Sequence, residues 1–151
     1  MATRLTKEEY DKEKELLDAA LASSKKYRNE TYERDTSEER ADAEKALREK
    51  YISERIAKKQ LPQVAAAKGL SGGYVKSAFA KRKGDYSAAA EKIMEERDKA
   101  IAKLTETYLR GDEKDEEKYA KSIESLKRRY SAVLGSNGQR NPYILVLKRT
   151  K

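Results

Sequence analysis

Residues 61–83 read LPQVAAAKGLSGGYVKSAFAKRK, and the helix-breaking residues in this stretch decide how the chain is expected to fold. Pro62 biases the residue before it away from helical backbone, so a preceding helix is predicted to end there. The rest of the stretch is predicted to form a short helix, a glycine-rich turn and a second short helix. This helical elbow spans residues 61–84, and its geometry is expected to depend on Pro62, Gly69, Gly72 and Gly73.

On the N-terminal side, residues 1–60 are predicted to form a helical arm, because they are rich in Ala, Leu, Glu, Lys and Arg. An irregular apolar stripe marks the side of this arm that is expected to be buried: Tyr10, Leu17, Leu21, Tyr27, Leu47, Tyr51, Ile52 and Ile56. Thr36 and Glu39 have the spacing of a capping box, which favours a break near residues 35–37. Whether the arm is one helix or two stays open at this point.

On the C-terminal side, residues 85–135 are predicted to form an antiparallel helical hairpin. Gly84 and Asp85 favour a helix stop followed by a new start, and a short connection at Gly111 is predicted to join the two helices of the hairpin. The second of these helices carries an apolar seam with the alternating spacing of a coiled coil: Tyr119, Ile123, Leu126, Tyr130 and Val133.

The end of the chain, residues 136–151, is predicted to be a basic loop followed by one extended strand, because β-forming residues follow Pro142. Residues 1–135 offer no second strand, so the strand is expected to dock on a partner through Tyr143, Ile144, Leu145, Val146 and Leu147. The alternative is an irregular cover over the helices. The predicted fold class is all-α, with an elongated helical arm, a central helical elbow, an antiparallel helical hairpin and one C-terminal extended strand.

The composition argues against an enzyme. The chain has no Cys and no His, which are common metal ligands, and His is also the commonest acid–base group near neutral pH. The acidic clusters are interleaved with lysine, so they are typical of solvated helix faces. We therefore expect no catalytic residues, no metal and no cofactor.

Apolar content and hydropathy restrict the class of protein further. Leu, Ile, Val and Phe make up only about 16% of the 151 residues, which favours elongated helices with narrow apolar seams over a compact core. No run of about 18 apolar residues is present, so no membrane span is expected. The N-terminus is polar and charged, so no signal peptide is expected either, and synthesis in the cytoplasm is the default.

The basic residues suggest one possible partner. The net charge is +8, and the excess lies in residues 61–83 and 136–151. Between Val64 and Val75, the spacing of small, glycine and apolar residues resembles a DNA-binding helix-turn-helix. That resemblance implies phosphate contacts from the basic side chains of the second helix: Lys76, Lys81, Arg82 and Lys83. The alternative is a helical elbow with a purely structural role.

A longer resemblance covers residues 60–130. The Leu61-Pro62-Gln63 run, the glycines up to Gly73, the following Tyr86 and the Glu96-Arg97-Asp98 run resemble small helical proteins encoded among the structural genes of prophages in Gram-positive bacteria. The resemblance implies a virion-associated or assembly role.

The resulting hypothesis is a non-enzymatic phage-type virion structural or assembly protein. It would contact other protein subunits through its helices and C-terminal strand, as a homo-oligomer or a larger assembly. The alternatives are a helix-turn-helix nucleic-acid-binding protein and a phage-encoded inhibitor that binds a host protein.

Overall fold

The computed structural model describes residues 5–138, with the side chains of residues 5–131, and this part of the chain consists of two α-helices and a turn. Helix α1 spans Lys7–Ala67, and helix α2 spans Gly72–Gly138. The prediction of an all-α chain built around a helical hairpin is therefore confirmed. The predicted docking strand, Tyr143 to Leu147, lies outside the described residues.

Helix α1 begins with a capping box. The backbone N–H of Thr6 donates to the carboxylate of Glu9 at 2.7 Å, and the backbone N–H of Glu9 donates to the Thr6 hydroxyl at 3.2 Å. These reciprocal bonds satisfy two donors that the first turn of a helix leaves free. The bond from the Thr6 backbone is the main reason why the pKa of Glu9 is lowered.

The turn between the helices is much shorter than the predicted elbow. The N–H of Leu70 donates to the carbonyl of Ala65 at 2.9 Å, and the N–H of Gly69 donates to that of Ala66 at 3.0 Å. This pair of bonds is a Schellman motif, which ends a helix with one residue in left-handed backbone. Gly69 takes that conformation, with φ of 66°, so a residue with a side chain would be strained there. Gly72 and Gly73 lie in the first turn of α2.

Pro62 does not end α1, so that prediction is wrong. The proline lies inside the helix, five residues before its end, although it removes one backbone N–H donor. Its neighbours Leu61 and Ala65 are buried, with 8% and 1% of their surface exposed. Burial on both sides of the proline keeps this last part of α1 helical, because packing overrides a local preference.

The predicted boundaries at Gly84 and Gly111 are wrong as well, and the break near residues 35–37, which the sequence left open, does not occur. Thr36 does not start a helix: it is buried within α1, where its hydroxyl donates to the carbonyl of Tyr32 at 2.8 Å. Gly84 and Gly111 both lie inside α2. Residues 85–135 are therefore part of one helix, and the hairpin forms between α1 and α2.

Contacts divide the chain into two compact units. The terminal unit comprises residues 5–29 and 109–138 of the described chain, and the turn unit comprises Glu30–Tyr108. In each unit α1 and α2 are antiparallel, since partner numbers fall along α2 as residue numbers rise along α1. Three tyrosine pairs show this order: Tyr10 with Tyr130 in the terminal unit, and Tyr32 with Tyr108 and Tyr51 with Tyr86 in the turn unit.

Burial along both helices follows an 11-residue repeat. On α2 every eleventh residue from Val75 is partly buried: Val75, Tyr86, Arg97, Tyr108, Tyr119 and Tyr130. Small residues occupy a second, equally spaced row: Ala78, Ala89, Ala100, Gly111 and Ser122. Helix α1 repeats in the same way through Tyr10, Leu21, Tyr32, Ala43, Glu54 and Ala65. Four residues of the predicted coiled-coil seam, Tyr119, Ile123, Leu126 and Tyr130, are at least partly buried, and the side chain of the fifth, Val133, lies outside the described ones.

The repeat explains how two helices with so few apolar residues stay paired. Eleven residues occupy three turns, or about 3.67 residues per turn, which is close to the 3.6 of an undistorted helix. Within each unit the helices therefore need no left-handed supercoil to keep one face in contact. Nevertheless, the core is thin: among the described residues the buried side chains are Leu5, Thr36, Ala43, Leu61, Ala65 and Leu126.

Candidate functional site

The terminal unit contains a charged cluster between its two helices. The guanidinium of Arg28, 20% exposed, donates to the carboxylate of Asp115 and lies 3.5 Å from that of Asp112. The hydroxyl of Ser24 also donates to Asp115. Gly111 leaves the space for this arrangement, because a Cβ at that position would lie 2.5 Å from Nε of Arg28. The cluster thus links α1 to α2 through hydrogen bonds and ion pairs across their interface.

Hydrogen bonds to two groups of this unit shift their pKa values. The bond from Ser24, and then the one from Arg28, lowers the pKa of Asp115. The hydroxyl of Tyr119 donates to Asp18, and this bond raises the pKa of Tyr119. Both shifts favour the protonation states that these groups already have at neutral pH.

The lowered pKa of Asp115 predicts a loss of stability in acid. Its contribution is fully present above the ordinary pKa of about 4, and it disappears as the pH falls through the lowered value of the folded state. Thermal unfolding followed by circular dichroism from pH 7 to pH 3 should therefore show a steeper fall in melting temperature for the wild type than for Asp115→Asn. Glu113→Gln, which changes an exposed carboxylate two residues away, should retain the wild-type slope. Equal slopes for Asp115→Asn and the wild type would contradict the prediction.

Two large apolar side chains of the terminal unit extend into solvent from α1. Leu16 is 70% exposed and Tyr27 is 73% exposed. Eleven residues separate them, so both leave the helix in the same direction. Ala20 and Ser23, both exposed, lie between them at spacings of four, three and four residues. This face, which we call the knob face, thus has two large side chains that flank two small ones.

A shallow groove adjoins the knob face. Leu16 and Leu17 line it from α1, and Ser122 and Ser125 line it from α2. A salt bridge of 2.5 Å between Glu13 and Arg129 joins the two helices beside it. The groove is open, its lining is mostly small or apolar, and a helix or an extended segment could lie along it.

The basic residues singled out in the sequence lie beside the turn. Lys76, Lys81 and Lys83 are exposed on α2. Arg82 is partly buried, and its guanidinium lies 3.8 Å from the carboxylate of Glu54 on α1. The sequence did not single out Glu54, which is only 16% exposed and also lies 3.9 Å from Lys58. Three of the four predicted contacts thus face solvent, and the fourth contributes to pairing the helices.

The turn does not have the geometry of a helix-turn-helix. In that motif a short second helix crosses the first at about 90–120°. Here the second helix continues to Gly138, and the contact of Tyr51 with Tyr86 shows that it returns along α1. Leu70, which the motif would bury between its helices, is 39% exposed. Gly69, which contributes to the resemblance in sequence, ends α1 here through the Schellman motif.

Within residues 5–138, no helix is long and apolar enough to cross a membrane. The same part of the chain has no group of three or more acidic residues placed to hold a metal ion.

No protein-family model matches the chain, and comparisons with curated proteins and with solved structures give no match either. The similarity to prophage-encoded helical proteins stays a prediction.

Proposed function

We propose that this chain is a non-enzymatic structural or assembly protein that packs against other copies of itself through its helices. The exposed Leu16 and Tyr27 on one face of α1 carry the proposal. Scattered exposed apolar residues are normal, but two large ones on one face, separated by small residues, provide a surface for another helix. The sequence resemblance to prophage structural proteins is the reason for expecting this assembly in a virion.

A second copy of the chain fits the knob face better than an unrelated helix. The spacing of four, three and four residues on this face equals the repeat that pairs α1 with α2. Two copies related by a two-fold axis between Ala20 and Ser23 would bring Leu16 of each beside Tyr27 of the other. Such an interface uses the same surface twice, which is the commonest arrangement in homo-oligomers. Its large side chains would enter the spaces above Ala20 and Ser23.

The proposal predicts that the protein is an oligomer and that the knob face holds it together. Size-exclusion chromatography with light scattering should give the wild type a mass that is a multiple of 17.2 kDa. The double variant Leu16→Glu, Tyr27→Glu should elute as a monomer with its helical circular dichroism unchanged, because both side chains are exposed. Burying two carboxylates in an apolar interface carries a large desolvation cost.

A matched control separates this face from a general effect of added charge. Ile52→Glu with Ile56→Glu changes two exposed apolar residues of α1 in the turn unit, 50% and 51% exposed, and should leave the mass as in the wild type. A wild-type protein that stays monomeric at about 100 μM would reject the proposal.

A further inference from the structure

The turn region carries the most one-sided charge in the chain. From Arg55 to Gly84 there are eight basic residues and no acidic ones: Arg55, Lys58, Lys59, Lys68, Lys76, Lys81, Arg82 and Lys83. The end of α1 contributes three of them, the turn contributes Lys68, and the start of α2 contributes four. The antiparallel arrangement of the turn unit brings the two groups to the same end of the hairpin, on either side of Gly69.

Most of these charges are not neutralised locally: Lys58 and Arg82 lie within 4.0 Å of the carboxylate of Glu54, and the charges elsewhere on the helices are more often paired. Outside the turn, basic side chains pair with carboxylates four residues away, as in Arg48 with Glu44, Lys99 with Glu95 and Arg128 with Glu124. Near the turn the sequence offers no carboxylate at this spacing for most of the lysines. Among the described residues no carboxylate lies within 4.0 Å of five exposed lysines: Lys59, Lys68, Lys76, Lys81 and Lys83. The result is a concentrated positive potential at the turn.

We infer that the turn end of the hairpin binds the phosphate backbone of nucleic acid, without reading its sequence. Six of the eight basic residues are lysine, which protein interfaces disfavour but which phosphate contacts use readily. An anionic membrane surface fits less well, because interfacial helices insert an apolar face. Here Leu61 and Ala65 are buried. Ile56 and Val64 of α1 are about half exposed, but polar residues lie between them (Lys59, Gln60 and Gln63), so they form no continuous apolar face for insertion.

The residues near the lysines are also consistent with contact to the phosphate backbone of nucleic acid rather than to its bases. Gly72 and Gly73 open α2 and have no side chains that could enter a groove and contact base edges. Tyr74, which follows them, is 48% exposed and lines a cleft that contains Lys81 and Arg82 together with the carboxylates of Glu54 and Asp85. An exposed aromatic ring beside cations can stack on an unpaired base. The surface should therefore accept both duplex and single strands, and Tyr74 should contribute only to the latter.

Fluorescence anisotropy with a labelled 20-base-pair DNA duplex, and with one of its strands, tests this inference. The full-length protein should bind both at 50 mM salt. Each lysine that neutralises a phosphate adds about −0.9 to the slope of log K against log salt for duplex DNA. With five lysines the slope should approach −4, so raising the salt to 200 mM should weaken binding on the order of 100-fold. Tyr74→Ala should weaken only the single-stranded complex.

Two charge-matched variants identify the surface. The first replaces the five turn lysines with glutamine, and it should lose most duplex binding and most of the salt dependence. The second removes the same amount of charge elsewhere, through Lys12, Lys45, Lys50, Lys103 and Lys127, and should bind nearly as the wild type does. All ten side chains are exposed, and circular dichroism checks that both variants are folded.

Three results would overturn the inference. They are absence of binding by the wild type at 50 mM salt, equal losses in the two variants, or binding to vesicles with 30% anionic lipid as tight as binding to DNA. None of these results depends on the knob face, which lies in the other unit, so the oligomer and the nucleic-acid contact can fail independently.

Discussion

Leu126→Ala should lower the free energy of unfolding of the terminal unit by about 3 kcal/mol, within the range found when a buried leucine is truncated to alanine. Leu126 is the one large side chain of the described residues with none of its surface exposed. Truncation removes the free energy gained by burying the leucine side chain. It also leaves a cavity that the two helices can close only in part. Since small domains have total stabilities of 5–15 kcal/mol, this is a large fraction.

Urea unfolding followed by circular dichroism at 222 nm would measure the effect. Leu109→Ala is the matched control, because it makes the same change on the same helix and in the same unit, at a residue that is 53% exposed. It should change the unfolding free energy by less than about 0.5 kcal/mol, as surface substitutions usually do. Similar losses in the two variants would show that burial in this thin core does not determine stability.

The sequence predicts where this chain is helical much better than where its helices end. Residues favouring helices occupy nearly all of the described chain, so the all-α class follows from composition and propensity. The predicted boundaries at Pro62, Gly84 and Gly111 fail because each rests on a local preference of about 1–3 kcal/mol. Continuous packing along a partner helix outweighs such preferences. Of Pro62, Gly69, Gly84 and Gly111, Gly69 alone lies at a helix end, since there the chain must reverse its direction.

The buried face could be predicted only in part. Tyr27, Ile52 and Ile56 belong to the apolar stripe of α1 but are exposed, while the polar residues Arg28 and Glu54 lie between the helices. Residue polarity is a poor guide to burial here, because charged side chains of the two helices can form ion pairs with each other across a narrow interface. The 11-residue spacing of tyrosines and small residues along α2 was a usable signal, since it is visible in the sequence without the structure.

The candidate surfaces differ in how much of them the sequence reveals. The exposed lysines near the turn follow from charge clustering alone, and the structure adds that both helices contribute to one end of the hairpin. The knob face could not be predicted, because Leu16 and Tyr27 look like core residues in a linear pattern. Their exposure becomes apparent only when the structure shows which side of α1 faces α2.

Replacing Gly111 with alanine should destabilise the protein, although alanine is the better helix former by about 1 kcal/mol. The new Cβ would lie 2.5 Å from Nε and 3.0 Å from Cζ of Arg28. The guanidinium must then leave its place between the helices and give up its bond to Asp115, and the carboxylate stays behind without its cation. Removing one partner of such a pair costs more than the pair itself contributes.

Gly84→Ala is the control on the same helix, because nothing lies within 4 Å of a Cβ at that position. It should raise the melting temperature, since only the gain in helix propensity remains. The decisive comparison is made in a protein that already carries Arg28→Ala. With the guanidinium gone, Gly111→Ala should become stabilising, so the sign of its effect reverses between the two backgrounds. If Gly111→Ala is stabilising in both backgrounds, then Arg28 moves aside freely, and the charged cluster does not hold the helices in register.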